Sequence, residues 1–241
     1  MARFPTLIKI ANGDSPYREK HPTYISPAPF VFGVWGLIHF LLGGFVIYQF
    51  FSSNQELVED GIHWHFVGIS LLNTLWLALW QGDHLILAWI TILFTSSQVS
   101  YVYYTIKYNY PGGSFKEKIF IHAPFSLYHA WIFVITVIST FAAFLPDKDE
   151  DDASILVKTL VVFGLFVLSS TSVGYIEGAK GDITGAVVIA WTLYGIFVAQ
   201  ADPVIHWAAL VFAVCTSFYI LKPIVLKYYR GESDENAPLL S

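Results

Sequence analysis

The chain has 241 residues, of which 55% are hydrophobic, 17% aromatic and 13% charged, and its mean hydropathy is +0.57. An ordinary soluble domain has roughly 45–50% apolar and about 25% charged residues. The composition therefore excludes a soluble domain and predicts an integral membrane protein. The net charge is −5 and the sequence contains no long run of Lys or Arg, so nucleic acid is not an expected partner.

The first 25 residues form a polar N-terminal segment without the pattern of a cleavable signal peptide. We therefore expect membrane insertion to begin with a retained helix. The single cysteine, Cys215, lies in an apolar stretch, so no intrachain disulfide and no thiolate metal cluster is expected.

Seven charge-free segments are long enough, or nearly so, to cross the ~30 Å hydrocarbon core of a bilayer. They are Phe30–Phe51, Trp64–Gln81, Leu85–Ile106, Ile119–Leu145, Thr159–Ile176, Ile183–Ala201 and Val204–Leu221. The predicted fold class is all-α, a polytopic transmembrane bundle of about seven helices.

Several of these segments follow a helix start signal, in which a side-chain oxygen caps backbone N–H groups that lipid cannot satisfy. The signals are Ser26-Pro27, Asp83, Ser154, Asp182 and Asp202-Pro203. We interpret the three aspartates as caps in preference to ion ligands.

The acidic run at 146–153 divides the chain into two helical parts. Residues 26–145 form a predicted four-helix part and residues 154–229 add three helices. Residues 230–241 form a polar C-terminal tail. The distribution of Lys and Arg between the two sides does not decide the orientation.

The tail contains Glu235 followed, after three spacers, by Leu239 and Leu240. This pattern resembles the acidic dileucine signal that eukaryotic adaptors read on cytosolic tails. It predicts a sorting adaptor as a partner, a cytosolic C-terminus and a vacuolar or lysosomal membrane. The alternative is a polar tail without a signal.

Three motifs occur in order in the four-helix part. Residues 26–44 read SPAPFVFGVWGLIHFLLGG, residues 72–76 read LNTLW and residues 123–131 read APFSLYHAW. Together they resemble the Pro-rich first motif, the Leu-Asn-x-x-Trp helix and the Pro-Tyr-x-x-Trp helix of the TspO, or tryptophan-rich sensory protein, superfamily.

The resemblance covers residues 24–145. The first helix of the five-helix members is absent, and the added helices, with Gly181-Asp182 and residues 190–195 reading AWTLYG, resemble longer homologues. The resemblance implies a helical-bundle cavity that binds tetrapyrroles and, in eukaryotes, sterol-like or drug-like ligands.

Helical spacing places aromatic and polar residues on one face each of the first, second and fourth segments. Turned inward, these faces would enclose an aromatic cavity for a flat, largely apolar ligand. The predicted ligand-binding residues are Phe32, Trp35, His39, Asn73, Trp76, Trp80, Pro124, Tyr128, His129 and Trp131. Two alternatives remain: an aromatic stripe at helical spacing is more often core packing than a pocket, and Asn73 more often makes an interhelical hydrogen bond than a ligand contact.

No cofactor is required by the sequence, although a porphyrin or haem is among the expected ligands. His39 and His129 would ligate haem only if they faced each other at matched depth. No catalytic motif is present, so an enzyme is not expected.

The alternative function is a seven-helix transporter of a small solute across a vacuolar or other endomembrane. The expected partners are the bilayer, a hydrophobic small molecule and a second copy of the chain. A retinal photoreceptor is not favoured, because Lys222 lies at the edge of the last segment.

Overall fold

The structure is a computed structural model that describes residues 20–50, 57, 62, 64–110, 114–148, 153–178 and 181–235, with the backbone alone described at 224 and 226–235. This described part contains seven long helices. They are α1 (Gly33–Tyr48), α2 (His65–Gln81), α3 (Leu85–Asn109), α4 (Ala123–Phe144), α5 (Ile155–Glu177), α6 (Ile183–Ala199) and α7 (Pro203–Glu235). A 3₁₀ turn, Pro29–Phe32, precedes α1, and a short helix with a wider π turn, Phe115–His122, leads into α4.

All seven predicted segments coincide with helices of the described residues, which confirms the predicted all-α transmembrane bundle. Five helical stretches are long and apolar enough to span a membrane: Pro29–Tyr48, Leu85–Asn109, Phe115–Phe144, Ile155–Glu177 and Pro203–Pro223. α2 and α6 have 17 residues each, which is about 25 Å of helix. α7 continues as helix to Glu235, beyond its predicted end and into the predicted tail.

Three of the predicted N-caps are confirmed. Ser154, Asp182 and Asp202 each accept hydrogen bonds from backbone N–H groups in the first turn of α5, α6 and α7. These bonds satisfy donors that would otherwise be unpaired at a helix start.

The other two cap predictions are wrong. Ser26 lies ahead of the 3₁₀ turn, and its hydroxyl pairs with Thr23 at 2.7 Å. Asp83 adopts a φ of +63° in the turn between α2 and α3. Its carboxylate pairs with Lys20 at 2.9 Å, and this hydrogen bond lowers the pKa of Asp83.

α4 is the central helix of the bundle. It packs against α1, α3 and α6, and thirteen of its residues are buried. α5, α6 and α7 pack on one another, while α2 packs on α3. The buried residues form one hydrophobic cluster that includes side chains from all seven helices.

The residues before α1 are anchored to the end of α6. The side chain of Gln200 donates to the carbonyl of Ser26 at 2.7 Å, and the N–H of Ala28 donates to the carbonyl of Gly195 at 2.9 Å. Position 195 requires glycine because a Cβ there would overlap the side chain of Val31. This anchor fixes the point from which α1 starts.

Candidate functional site

α1 and α2 are separated along most of their length and meet at two aromatic pairs. Trp35 lies 6.0 Å from Trp76, centroid to centroid, and ten residues further along α1, Phe45 lies 5.8 Å from Phe66. Neither helix packs extensively on the other. Between the two pairs lies a cleft of about 300 Å³, which we call the window.

The window has a buried floor and an exposed rim. Its lining consists of His39, Leu42, Gly43, Val46, Phe66, Ser70, Asn73, Thr74 and Tyr128. Leu42 and Tyr128 form the floor and are 7% and 3% exposed. Gly43 on α1 and Ser70 and Thr74 on α2 are exposed at the rim.

Several polar groups at this junction of α1, α2 and α4 lack partners among the described residues. The buried Oδ1 of Asn73 accepts no hydrogen bond, and the indole N–H groups of Trp35 and Trp131 donate none. Tyr128 on the floor adds a hydroxyl group to the lining. Each buried polar group without a partner lowers the stability of the fold by about 1–3 kcal/mol. The unpaired groups at this junction therefore reduce the stability of the bundle.

His39 offers a further acceptor at the rim. Its Nδ1 lies 2.8 Å from the carbonyl oxygen of Trp35. A carbonyl can only accept, so this geometry assigns the proton of a neutral imidazole to Nδ1. The Nε2 atom is then a hydrogen-bond acceptor.

The ten predicted site residues are divided among several places. His39, Asn73 and Tyr128 line the window, and Trp35 and Trp76 close one end of it.

Four other predicted residues lie in packed surroundings and not in the window: Phe32, Trp80, Pro124 and Trp131. Trp131 is fully buried and packs edge-on against Phe32 at 5.5 Å. Trp80 is 1% exposed and packs edge-on against His21 at 5.0 Å. Pro124 is buried in the first turn of α4.

His129 faces α3 and α5 and does not line the window. Its Nδ1 is 2.6 Å from the Tyr175 hydroxyl and its Nε2 is 3.0 Å from the Ser100 hydroxyl. Its ring stacks on Tyr103 with centroids 4.3 Å apart. Both ring nitrogens are engaged, so this geometry gives no support to a haem held between His129 and His39.

A second polar group lies next to His129, around Asp182. The Asp182 carboxylate is buried and accepts hydrogen bonds from Tyr103 and Ser126, each at 2.6 Å. Lys107 lies 3.3 Å from the same oxygen. Asp182 therefore caps α6 and also connects it to α3 and α4; we call these four residues the Asp182 cluster.

Sequence reasoning identified Asp182 as a cap but missed its cluster. A signal was present, because Tyr103 and Lys107 are four residues apart on α3, and Ser126 and His129 are three apart on α4. Polar residues at such spacing inside an apolar span face the bundle interior.

A larger groove of about 540 Å³ lies between α2 and α3. It is lined by Trp64, His65, Gly68, Leu71, Leu72, Leu75, Phe94 and Gln98. Its polar end is satisfied, because His65 hydrogen-bonds Gln98 at 2.7 Å. Leu71 and Phe94 are 67% and 62% exposed, as expected of a lipid-facing surface, so the window is the stronger candidate site.

Residues 10–222 match the family model described as TSPO-like protein. The chain belongs to the TSPO-like protein family. The match includes α1 to α6 and α7 as far as residue 222, so it extends beyond the resemblance over residues 24–145 into the three added helices. No curated protein and no solved structure gives a significant match.

Proposed function

We propose that this TSPO-like membrane protein binds a flat, largely apolar small molecule in the window and senses or carries it within the membrane. The observation that supports this function is the unsatisfied Oδ1 of Asn73 in the window, together with the unpaired indole N–H of Trp35 at one end of it. A ligand that hydrogen-bonds them would remove the cost of leaving them buried and unpaired. The volume of about 300 Å³ lies at the lower end of known ligand sites.

The lining also indicates the charge of the ligand. None of the nine described lining residues is Asp, Glu, Lys or Arg. A tetrapyrrole with two propionates would therefore find no cationic partner inside the window, and burying unpaired carboxylates is costly. The lining favours an uncharged, sterol-like ligand with one hydroxyl or carbonyl group over a porphyrin or haem.

The test is a titration of the purified full chain in detergent. Protoporphyrin, haemin and dehydroergosterol are added separately, and tryptophan quenching and energy transfer are followed. We expect saturable binding of dehydroergosterol. The Asn73→Leu variant should bind about 3- to 10-fold more weakly, which corresponds to one lost hydrogen bond.

Tyr128→Phe should weaken binding to a similar degree. Tyr101→Phe, which removes a hydroxyl from a side chain that is 52% exposed on α3, is the matched control and should bind like the wild type. The proposal fails if no ligand gives a saturable response, or if Asn73→Leu binds as tightly as the wild type.

The proposed location is an endomembrane with the C-terminus in the cytosol. It depends on the sorting signal, of which Leu239 and Leu240 lie outside the described residues, while the backbone of Glu235 is helical. Replacing both leucines by Ala should redistribute a fluorescently tagged chain to the cell surface. An unchanged distribution would argue against the signal.

A further inference from the structure

The described residues bound the window at its floor and at both ends. Tyr128 of α4 closes its floor, and the aromatic pairs described above close both ends along the helix axes. Each pair is ten residues from the other on both helices, which is about 15 Å. The remaining side, between Gly43 on α1 and the hydroxyl residues on α2, has an exposed rim.

That side faces away from the rest of the bundle. α4 lies behind the window, α1 is one of the five helical stretches that are long and apolar enough to span a membrane, and α2 is the 17-residue helix that meets α1 at the two aromatic pairs. A gap that flanks a membrane-spanning helix at a depth between its two ends would face the hydrocarbon of the bilayer.

The rim is suited to admitting a ligand. A Cβ added at Gly43 would meet nothing within 4 Å, so the absence of a side chain keeps the rim wide. The hydroxyls of Ser70 and Thr74 donate to the carbonyls of Phe66 and Ser70, each at 2.8 Å. Those two hydroxyls are therefore satisfied when they face lipid, unlike the groups inside the window.

We propose that the window is a lateral portal through which a ligand dissolved in the bilayer enters between α1 and α2, with Gly43 setting the width. This inference rests on the proposed function for the ligand, but the portal itself can be tested without one. Its prediction is that the inside of the window is accessible from lipid and not from water.

The first experiment measures that accessibility by spin labelling of the full chain in liposomes. In a Cys215→Ser background, a nitroxide is attached to Asn73→Cys, and power saturation is recorded with oxygen, which partitions into lipid, and with a water-soluble nickel chelate. Phe40→Cys, 77% exposed, is the lipid-facing reference, and Ala142→Cys, 5% exposed, is the buried reference.

We expect oxygen accessibility at position 73 to be at least three times that of the buried reference, with nickel accessibility as low as at position 40. Low accessibility to both reagents would overturn the portal, because the window would be closed. High nickel accessibility would also overturn it, because the window would open to water.

The second experiment measures exchange of dehydroergosterol between vesicles and the reconstituted chain by stopped-flow energy transfer. Gly43→Phe should slow both association and dissociation at least tenfold. Gly36→Phe is the matched control, because a Cβ at Gly36 also meets nothing within 4 Å and Gly36 does not line the window.

The two hypotheses fail in different ways. Unchanged rates in Gly43→Phe, with binding intact, would overturn the portal and leave the binding site in place. Oxygen accessibility at position 73 without any sterol binding would leave the portal in place and overturn the proposed ligand.

Discussion

The window and the Asp182 cluster are both polar regions in an apolar bundle, but the polar groups of the cluster are hydrogen-bonded and some of those at the window are not. In the cluster the Asp182 carboxylate has five hydrogen-bond or charge partners from three helices. At the window the Asn73 oxygen and the indole N–H of Trp35 have no described partner. Satisfied polar groups stabilise a bundle, whereas each buried group without a partner has a free-energy cost that a bound ligand would offset.

The helices around the cluster are also more deeply buried than the two helices that form the window. The cluster lies where α4 packs against both α3 and α6, and α6 has nine buried residues out of seventeen. α1 and α2 have three buried residues each. We therefore expect the interior around α4 and α6 to contribute most of the stability, and the loosely packed pair α1 and α2 to be the mobile part, where we propose that the ligand enters.

The largest expected effect is on the cluster. Asp182→Asn removes the anion beside Lys107, whose side chain is only 20% exposed. Removing one partner of a buried ion pair costs about 3–5 kcal/mol, and we expect the lower end because Lys107 reaches some solvent. Unfolding in detergent measures it. Asp147→Asn, at an exposed position, should change stability by less than about 0.5 kcal/mol; equal losses in the two variants would contradict the role of the cluster.

The next effect compares two glycines. Gly195→Ala would overlap Val31 in the segment that starts α1, and overpacking of this kind costs about 1–3 kcal/mol. Gly36→Ala enters open space and should be neutral or stabilising by up to about 1 kcal/mol, because alanine favours helix. Gly195→Ala should therefore lower the thermal midpoint, whereas Gly36→Ala should leave it unchanged or raise it. An equal fall in both variants would contradict the anchor on α6.

A smaller effect separates the two regions directly. Without ligand, Asn73→Leu should raise the free energy of unfolding by about 1 kcal/mol, because it removes an unsatisfied buried acceptor. Ser126→Ala should lower it by about 1 kcal/mol, because it removes a hydrogen bond to Asp182. Loss of stability in both variants would mean that Asn73 is a structural residue.

The smallest effect is a pH dependence at Asp202, outside the membrane spans. Burial raises the pKa of this carboxyl, but hydrogen bonds from Lys158 and from the backbone of Ile205 and Val204 outweigh it, so the pKa is lowered overall. The stabilisation from Asp202 is therefore complete above its unfolded value of about 3.9 and is lost as the pH falls through the lower folded value. The thermal midpoint should fall less between pH 5 and pH 3 in Asp202→Asn than in the wild type; parallel curves would contradict this.

The helices were predictable because lipid enforces a simple rule. A charge-free run of about twenty residues must satisfy its backbone internally, and each of the seven runs is a helix. The ends were harder to predict. Asp83 carries the residue type of a cap, yet its turn has a positive φ and its partner, Lys20, is 63 residues earlier in the chain.

The site was predictable only in part. Helical spacing placed His39, Asn73 and Tyr128 on three different helices, and these residues line one cleft. Spacing could not show that Trp131 is fully buried or that His129 faces α3 and α5, because the rotation of α4 is set by packing on all its sides. The partners of Asp182 were also hidden, since Tyr103 is 79 residues away in sequence.

The anchor of the first segment on α6 has a consequence for the order of events during synthesis. The carbonyl of Ser26 accepts a hydrogen bond from the side chain of Gln200, 174 residues later in the chain. The N–H of Ala28 donates to the carbonyl of Gly195, which is also synthesised late. α1 to α5 therefore leave the ribosome before the first segment has its partners. A ribosome-bound chain that ends before α6 should hold its first segment open to protease, and completion of α6 is the step that closes it.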